Sequence, residues 1–285
     1  MSNIILGYPN RASSANFSGG SWRASLPISN VKDRRTLKLA RSTNALEAST
    51  QFDIDLTQAR NISLFALRRH NLSEDSTVRI LASSDSSFSS TVYDSGFNEV
   101  YPAVFDTLEL QWEDSNFWMG KPKSEDIERF VTLYLLVLPV ITQARYWRVE
   151  IKDTSNPDGY VDIGSVFVSD KFEPDVNVIY GASIQNTNRT TVSESQSGVE
   201  FFDQREQKRV ARFTLDNMSY SEGYQKAFDS TQILGVDGEV LFSMDTDDKA
   251  NLMRNSLVGR YVSTNPLTFV RFNQTSMPFE IQEIL

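Results

Sequence analysis

His70 is the single histidine of the chain and stands in a polar turn with Asn71 and Ser73. A serine–histidine–acid relay would have to use it as the base. No serine sits in a G-x-S-x-G elbow, so the base has no placed nucleophile. These residues read as a turn closed by an imidazole hydrogen bond. With one histidine and no cysteine, the nitrogen and sulfur ligands of a transition-metal site are missing. Asp237, Asp245, Asp247 and Asp248 offer oxygen ligands, yet D-T-D-D-K-A-N-L-M-R-N-S lacks the glycine at position 6 and the glutamate at position 12 of a calcium loop. Helix capping and solvation account for that patch. Asp53 and Asp55 alternate with apolar neighbours toward solvent and are unexceptional for glycoside cleavage. No glycine-rich phosphate loop occurs, and GYVDIG lacks the spacing. The expectation is a protein without catalytic residues, metal or cofactor.

Two other groups suit binding. Asn116-Phe117-Trp118-Met119-Gly120 is an apolar tip in a polar stretch. Exposed, Phe117, Trp118 and Met119 would anchor an interface or a glycan; otherwise they tuck into the end of a sandwich. Lys32, Arg34 and Arg35, with Lys38 and Arg41, form a local basic cluster. It reads either as a solvated loop and strand edge or as a contact with an acidic neighbouring subunit.

The elements that would carry these residues are mostly strands. In residues 51–85, Phe52, Ile54 and Leu56 alternate with Asp53 and Asp55, which gives a strand with one wet face. Ile62, Leu64, Phe65, Ala66 and Leu67 form a denser run, as in a strand covered on both faces. A third strand follows at 78–82. Three strands joined by short polar turns set the rhythm of an antiparallel sandwich. Trp22 reads as a packing anchor within a lead-in that crosses the sheet. Residues 124–130 read as a short helix capped by Ser124, followed by an extended segment ending at Pro139; 131–137 fits a buried strand equally well. Residues 145–152 alternate again, Asn156-Pro157-Asp158-Gly159 makes a turn, and 160–169 closes the sheet with a bulge at Gly164.

Residues 171–198 are polar and rich in Asn, Ser and Thr, so a boundary falls there: a linker, or an extended arm or hairpin packing on a neighbouring subunit. The resulting division is 1–170, with an insertion at about 113–143, then 171–198, then 199–285. In the last part Ser219-Tyr220-Ser221-Glu222 is a capping box and Gly235 a helix stop. A second short helix is expected at 247–259, with strands at 209–216, 239–245, 260–264, 267–273 and 279–284.

Composition sets outer limits. Lys plus Arg number 28 against 37 Asp plus Glu, a net charge of −9, which works against a free-standing nucleic-acid binder. The apolar run at 130–141 falls short of the ~20 residues needed to span a bilayer. The N-terminal residues have no basic region of the kind that opens a signal peptide.

FDIDL, the apolar strand ending in His70-Asn71, TVRILAS, YWRVEI and YVDIGSVFVS together resemble the galactose-binding-like (discoidin) jelly roll. SWRASLPISN, VYDSG, NPDGY and the closing MPFEIQEIL, in that order, are similar to tail-tip or distal-tail proteins of long-tailed bacteriophages and prophages. That resemblance implies a mainly β fold: an N-terminal jelly roll plus a smaller β-rich domain with one or two helices, like the tail-tube and distal-tail fold. It further implies a structural virion protein assembled in the bacterial cytoplasm. Its partners would be itself, in a trimeric or hexameric ring, the tail tube protein, and hub and fibre proteins. The other function it implies is a module that binds a host-surface glycan.

Overall fold

The computed structural model describes every residue except Met1, Thr107, Glu109, Ser115 and Glu128. The protein is mainly β. In chain order the strands are β1 (Ile5–Gly7), β2 (Asn16–Ser18), β3 (Ala40–Arg41), β4 (Phe52–His70), β5 (Thr77–Ser83), β6 (Thr91–Asp94), β7 (Asn98–Glu99), β8 (Leu133–Lys152) and β9 (Asp162–Ser169). They continue as β10 (Lys171–Phe172), β11 (Ser183–Thr187), β12 (Thr191–Glu194), β13 (Glu200–Asp203), β14 (Lys208–Ser219), β15 (Val240–Ser243), β16 (Ser256–Tyr261), β17 (Thr268–Arg271) and β18 (Gln274–Glu283).

The first sheet runs β3-β9-β4-β8-β5-β6, with β2 added to β4 and β7 to β5. Its pairs are antiparallel, and β4 with β8 is the longest. Their register slips twice, between Asp55 and Arg60 and between Ile62 and Leu64. The slips change parity, which matters because a strand shows alternate residues to opposite faces. Phe52, Ile54 and Leu56 reach the core from even positions, whereas Phe65 and Leu67 reach it from odd ones. Both halves of the strand therefore serve one interior, shared with Val78, Ile80, Trp147, Val149, Val166 and Val168. Asp53 and Asp55, on the outer face, take bidentate hydrogen bonds from Arg148 and Arg145 on β8.

The second sheet runs β10-β1-β15-β16-β18-β14-β11, with β17 on β18. Its strands β1, β15 and β16 are also buried on both faces. Ile5, Leu241 and Val258 point one way, onto Leu64, Ala66, Leu133, Leu135 and Phe167 of the first sheet. Leu6, Phe242 and Leu257 point the other way, into a core with Phe213, Phe279 and Tyr261. There Phe213 stacks on Phe242 and Phe279, with ring centroids 4.9 and 5.3 Å apart. Ala227 and Leu234 of the helical stretch 220–234 cover that core. The capping box forms as expected: Ser219 Oγ accepts from the Glu222 amide at 3.3 Å while Glu222 accepts from the Ser219 amide at 3.3 Å. Gly235 ends the helix at φ 57°.

Several expectations change. Ile5–Gly7, placed in the N-terminal unit by the 1–170 division, pairs with β10 and β15 in the second sheet. Ile4, Ile5 and Leu6 are apolar in succession and gain burial on both faces only there. Residues 171–198 are not a linker, since β10 and β11 are strands of the second sheet and β12 pairs with β13 in a hairpin of its own. The supposed insertion at 113–143 contributes residues 133–143 to β8. Pro139 does not end that strand, because it falls in the register slip, where no ladder N–H is required. A helix forms at Ser124–Ile127; capping by the Ser124 side chain lies outside the described residues. The helix expected at 247–259 shrinks to Leu252–Asn255, since Leu257 and Val258 face opposite cores and so demand a strand. Gly164 makes no bulge: the pairing stays in step on either side of it. A Cβ there would meet Arg69 Cβ at 2.8 Å and the Thr36 carbonyl oxygen at 3.0 Å, so glycine serves close backbone approach.

A buried ion pair sits at the junction of the sheets. Arg209 donates to Glu283 from Nη2 (2.6 Å) and Nε (3.0 Å), and its amide donates to the same carboxylate at 3.1 Å. Arg68, only 2 % exposed, has no hydrogen-bond partner for Nη1 or Nη2 among the described residues. Burial lowers its pKa to about 10, partly offset by the charges of Glu283 and Glu239. Glu283 is thus the counter-charge of two arginines. Glu283→Ala should cost about 3–5 kcal/mol, because it strands buried guanidinium charge. Urea unfolding of Glu283→Ala beside the double variant Arg209→Met/Glu283→Leu checks this, with the double variant regaining most of the loss. A single-variant cost under ~1 kcal/mol would mean the pair behaves as a surface bridge.

Candidate functional site: the loop end of the N-terminal sandwich

β4 ends, and β5, β8 and β9 begin, at one end of the first sheet, where residues 71–76, 100–132 and 153–161 gather. Hydrogen bonds fix these loops to one another. Asn71 Oδ1 accepts from the Asp162 amide (2.7 Å), and its Nδ2 donates to Asp158 (2.8 Å) and to the Tyr160 carbonyl (3.2 Å). Asp153 accepts from the Ser73 amide (3.0 Å), the Ser73 hydroxyl and Asn156 Nδ2 (2.7 Å). The His70 amide donates to Thr132 Oγ1, which donates back to the His70 carbonyl, both at 2.7 Å.

Between the loops lies a cavity of about 620 Å³ bounded by His70, Glu74, Asp75, Tyr101, Ser155 and Asp158, among others. His70 closes the expected turn, its Nδ1 accepting from the Leu72 amide at 3.4 Å. The proton must then sit on Nε2, which is buried without a partner among the described residues, as is the Tyr101 hydroxyl. The two rings lie 6.1 Å apart. Burial lowers the His70 pKa to about 3, so the imidazole is neutral at neutral pH. It raises that of Tyr101, with help from the charges of Asp153 and Glu74. The cavity wall therefore offers neutral hydrogen-bonding groups and, at Asp158, Glu74 and Asp75, carboxylates. Among the described residues no group of three His, Cys, Asp or Glu is arranged to hold a metal ion.

The apolar tip belongs to this end. Lys121 Nζ donates to the Glu74 carbonyl (2.9 Å) and to Asp75 (3.3 Å), and Asn116 Nδ2 donates to the Lys121 carbonyl (2.6 Å). The turn carrying Phe117, Trp118 and Met119 is thus tied to the cavity wall. Trp118 is 79 % exposed and Met119 45 %. Phe117 is half-buried and meets the Trp118 ring edge-on at 5.3 Å.

The basic cluster lies elsewhere. Lys32 and Arg34 border a second cavity, of about 520 Å³, facing Asp237 and Glu239. Arg34 Nη1 donates to the Asp237 carbonyl at 2.9 Å. That bond is to a backbone carbonyl, with the Asp237 and Glu239 side chains lining the same cavity. Arg35 turns onto Asp33, with Nη2 2.7 Å from the carboxylate. Sequence reasoning missed Tyr101, Lys121 and Asp158 as parts of one site. Tyr101 and Lys121 come from the 100–132 loop and Asp158 from the 153–161 loop, and loops carry no periodicity to read.

No protein-family model and no curated protein matches the chain. Among solved structures, the chain is similar to a family 32 carbohydrate-binding module of a family 31 glycoside hydrolase from Clostridium perfringens. The identity is 14 %, the match covers 57 % of this chain and 98 % of the other, and the TM-score is 0.37. It is similar also to the family 32 module of C. perfringens NanJ in complex with galactose: 13 % identity, 59 % and 99 % covered, TM-score 0.37. A third is the lectin domain of lectinolysin complexed with Lewis B antigen: 14 % identity, 57 % and 98 % covered, TM-score 0.38.

The buried neutral imidazole has a measurable consequence. Below pH 6.5 the unfolded chain takes up a proton on His70 that the native state refuses until about pH 3. Stability is therefore full above pH 6.5 and falls on acidification, by about 2 kcal/mol between pH 7 and pH 5. His70 is the only histidine, so His70→Gln should flatten that slope in urea unfolding. Equal slopes for the two proteins would show the imidazole to be solvated.

Proposed function

We propose that the chain is a glycan-binding subunit that meets its ligand at the loop end of the N-terminal sandwich. The observation that carries this reading is Trp118, exposed on a turn that Lys121 ties to a polar cavity. A sugar ring has an apolar face and a rim of hydroxyls. An indole offers the flat apolar surface, and buried amides, carboxylates and a neutral imidazole offer the fixed polar groups. Trp118→Ala should weaken binding on a glycan array or in titration by about tenfold or more, with circular dichroism and melting temperature unchanged. Unaltered glycan binding by that variant would remove the tryptophan from the reading.

A second reading rests on the other body of the molecule. Tyr220, Tyr224, Phe228 and Phe269 form an exposed aromatic patch with neighbouring ring centroids 4.8–6.1 Å apart. Val192, Phe201 and Phe202 are exposed on the β12–β13 hairpin. Apolar surface of this extent favours a partner that covers it. Together with the sequence resemblance to tail-tip proteins, it supports a structural subunit of a phage tail. Such a subunit would self-associate in a ring and join tube to hub and fibre proteins in the virion. The two readings are compatible, with the sandwich presenting the glycan site and the second sheet making the assembly contacts. Light scattering after size exclusion should show mass rising with concentration, and Tyr224→Ala/Phe269→Ala should shift the population toward monomer. A wild-type protein that stays monomeric throughout would rule this assembly out.

A further inference from the structure

Between the two bodies, at the register slip in the middle of β4, lies a third cleft, of about 330 Å³. Arg11 enters it from the short 3-10 turn Arg11–Ser14, which Asn10 caps by accepting from the Ala12 amide at 3.1 Å. Arg60 enters from the register slip of β4, with Asn61 beside it and Gln143 across the ladder on β8. Neither guanidinium has a salt bridge or hydrogen-bond partner among the described residues, and both side chains are half-buried.

Burial lowers the Arg11 pKa, and the charge of Arg60 lowers it further, so the two cations repel each other across the cleft. The amide side chains of Asn61 and Gln143 add neutral donors. One acid, Asp170, faces the same space, but its Oδ1 already accepts from the Ser63 hydroxyl (2.7 Å) and the Lys171 amide (2.9 Å). On β8, Arg145 and Arg148 each have a matching carboxylate across the ladder, Asp55 and Asp53. Arg11 and Arg60 face each other instead. Two forked donors without an acceptor, plus two amides, are complementary to a compact oxyanion that bridges them.

We propose that this cleft is an oxyanion site, taking a phosphate group between Arg11 and Arg60, with Asn61 and Gln143 donating to its remaining oxygens. It lies ten residues along β4 from His70 and is separate from the loop-end cavity. The group could come from free phosphate or from a phosphate ester on a sugar.

Calorimetric titration and thermal shift in low-salt buffer test this, using inorganic phosphate, glucose 6-phosphate and glucose, each against chloride at matched ionic strength. Wild-type protein should bind phosphate or glucose 6-phosphate and melt higher with it, while glucose does nothing. Binding of both compounds places the ester end in open solvent; binding of free phosphate alone assigns the site to the free anion. Arg60→Gln and Arg11→Gln should each weaken binding by about tenfold or more. Arg60→Lys, which keeps the charge, should retain part of it and guards against a glutamine variant that fails to fold. A wild-type protein that responds to neither anion more than to chloride overturns the proposal, as does an Arg60→Gln variant that responds like wild type.

Discussion

The middle of β4 has to be dry on both faces, and the molecule is arranged around that requirement. Leu64 and Ala66 meet one set of neighbours, Phe65 and Leu67 another, and none of the four is exposed. One face is satisfied by the interior of the sandwich. The other needs a second apolar surface, which Ile5, Leu241 and Val258 supply from the second sheet. Each fully buried side chain of this kind contributes about 1.5–3 kcal/mol, so a small layer of eight residues is enough to hold two bodies together. The second sheet then has a spare face of its own, which the helical stretch 220–234 covers. The result is a stack of sandwich, sheet and helix.

Charge at the junction follows from the same stacking. A guanidinium drawn between two sheets loses its water, and only a carboxylate in the same layer offsets that loss. Glu283 sits near the end of the last long strand, and its carboxylate reaches Arg209 while its charge favours ionised Arg68. A residue close to the C-terminus is thereby coupled to the centre of the first sheet. Arg11 and Arg60, at the other side of the junction, share their cleft with one acid, Asp170, whose Oδ1 accepts from Ser63 and Lys171 and which makes no salt bridge with either guanidinium among the described residues.

The loop end shows how a rigid frame can present a varied surface. Asn71, Asp153 and Asn156 satisfy the backbone of the loops, so Trp118 and the cavity stand on a fixed base rather than on free chain. Hydrogen-bonded loops of this kind let binding residues keep one geometry without strand pairing.

What the sequence determined by itself is local. Alternation at 52–56 and 145–152, the dense apolar run at 62–67 and the Ser219–Glu222 box are each written in a short segment, and the structure agrees with each. The tertiary structure decided everything that depends on a distant partner. It placed Ile5–Gly7 in the second sheet, carried β8 past Pro139, cut the helix read at 247–259 to Leu252–Asn255 with a strand from Ser256, and brought Arg209 to Glu283 and Arg11 to Arg60. The physical reason is that periodicity encodes which side of a segment is dry, whereas the identity of the neighbour is set by the summed free energy of contacts between residues tens to hundreds of positions apart.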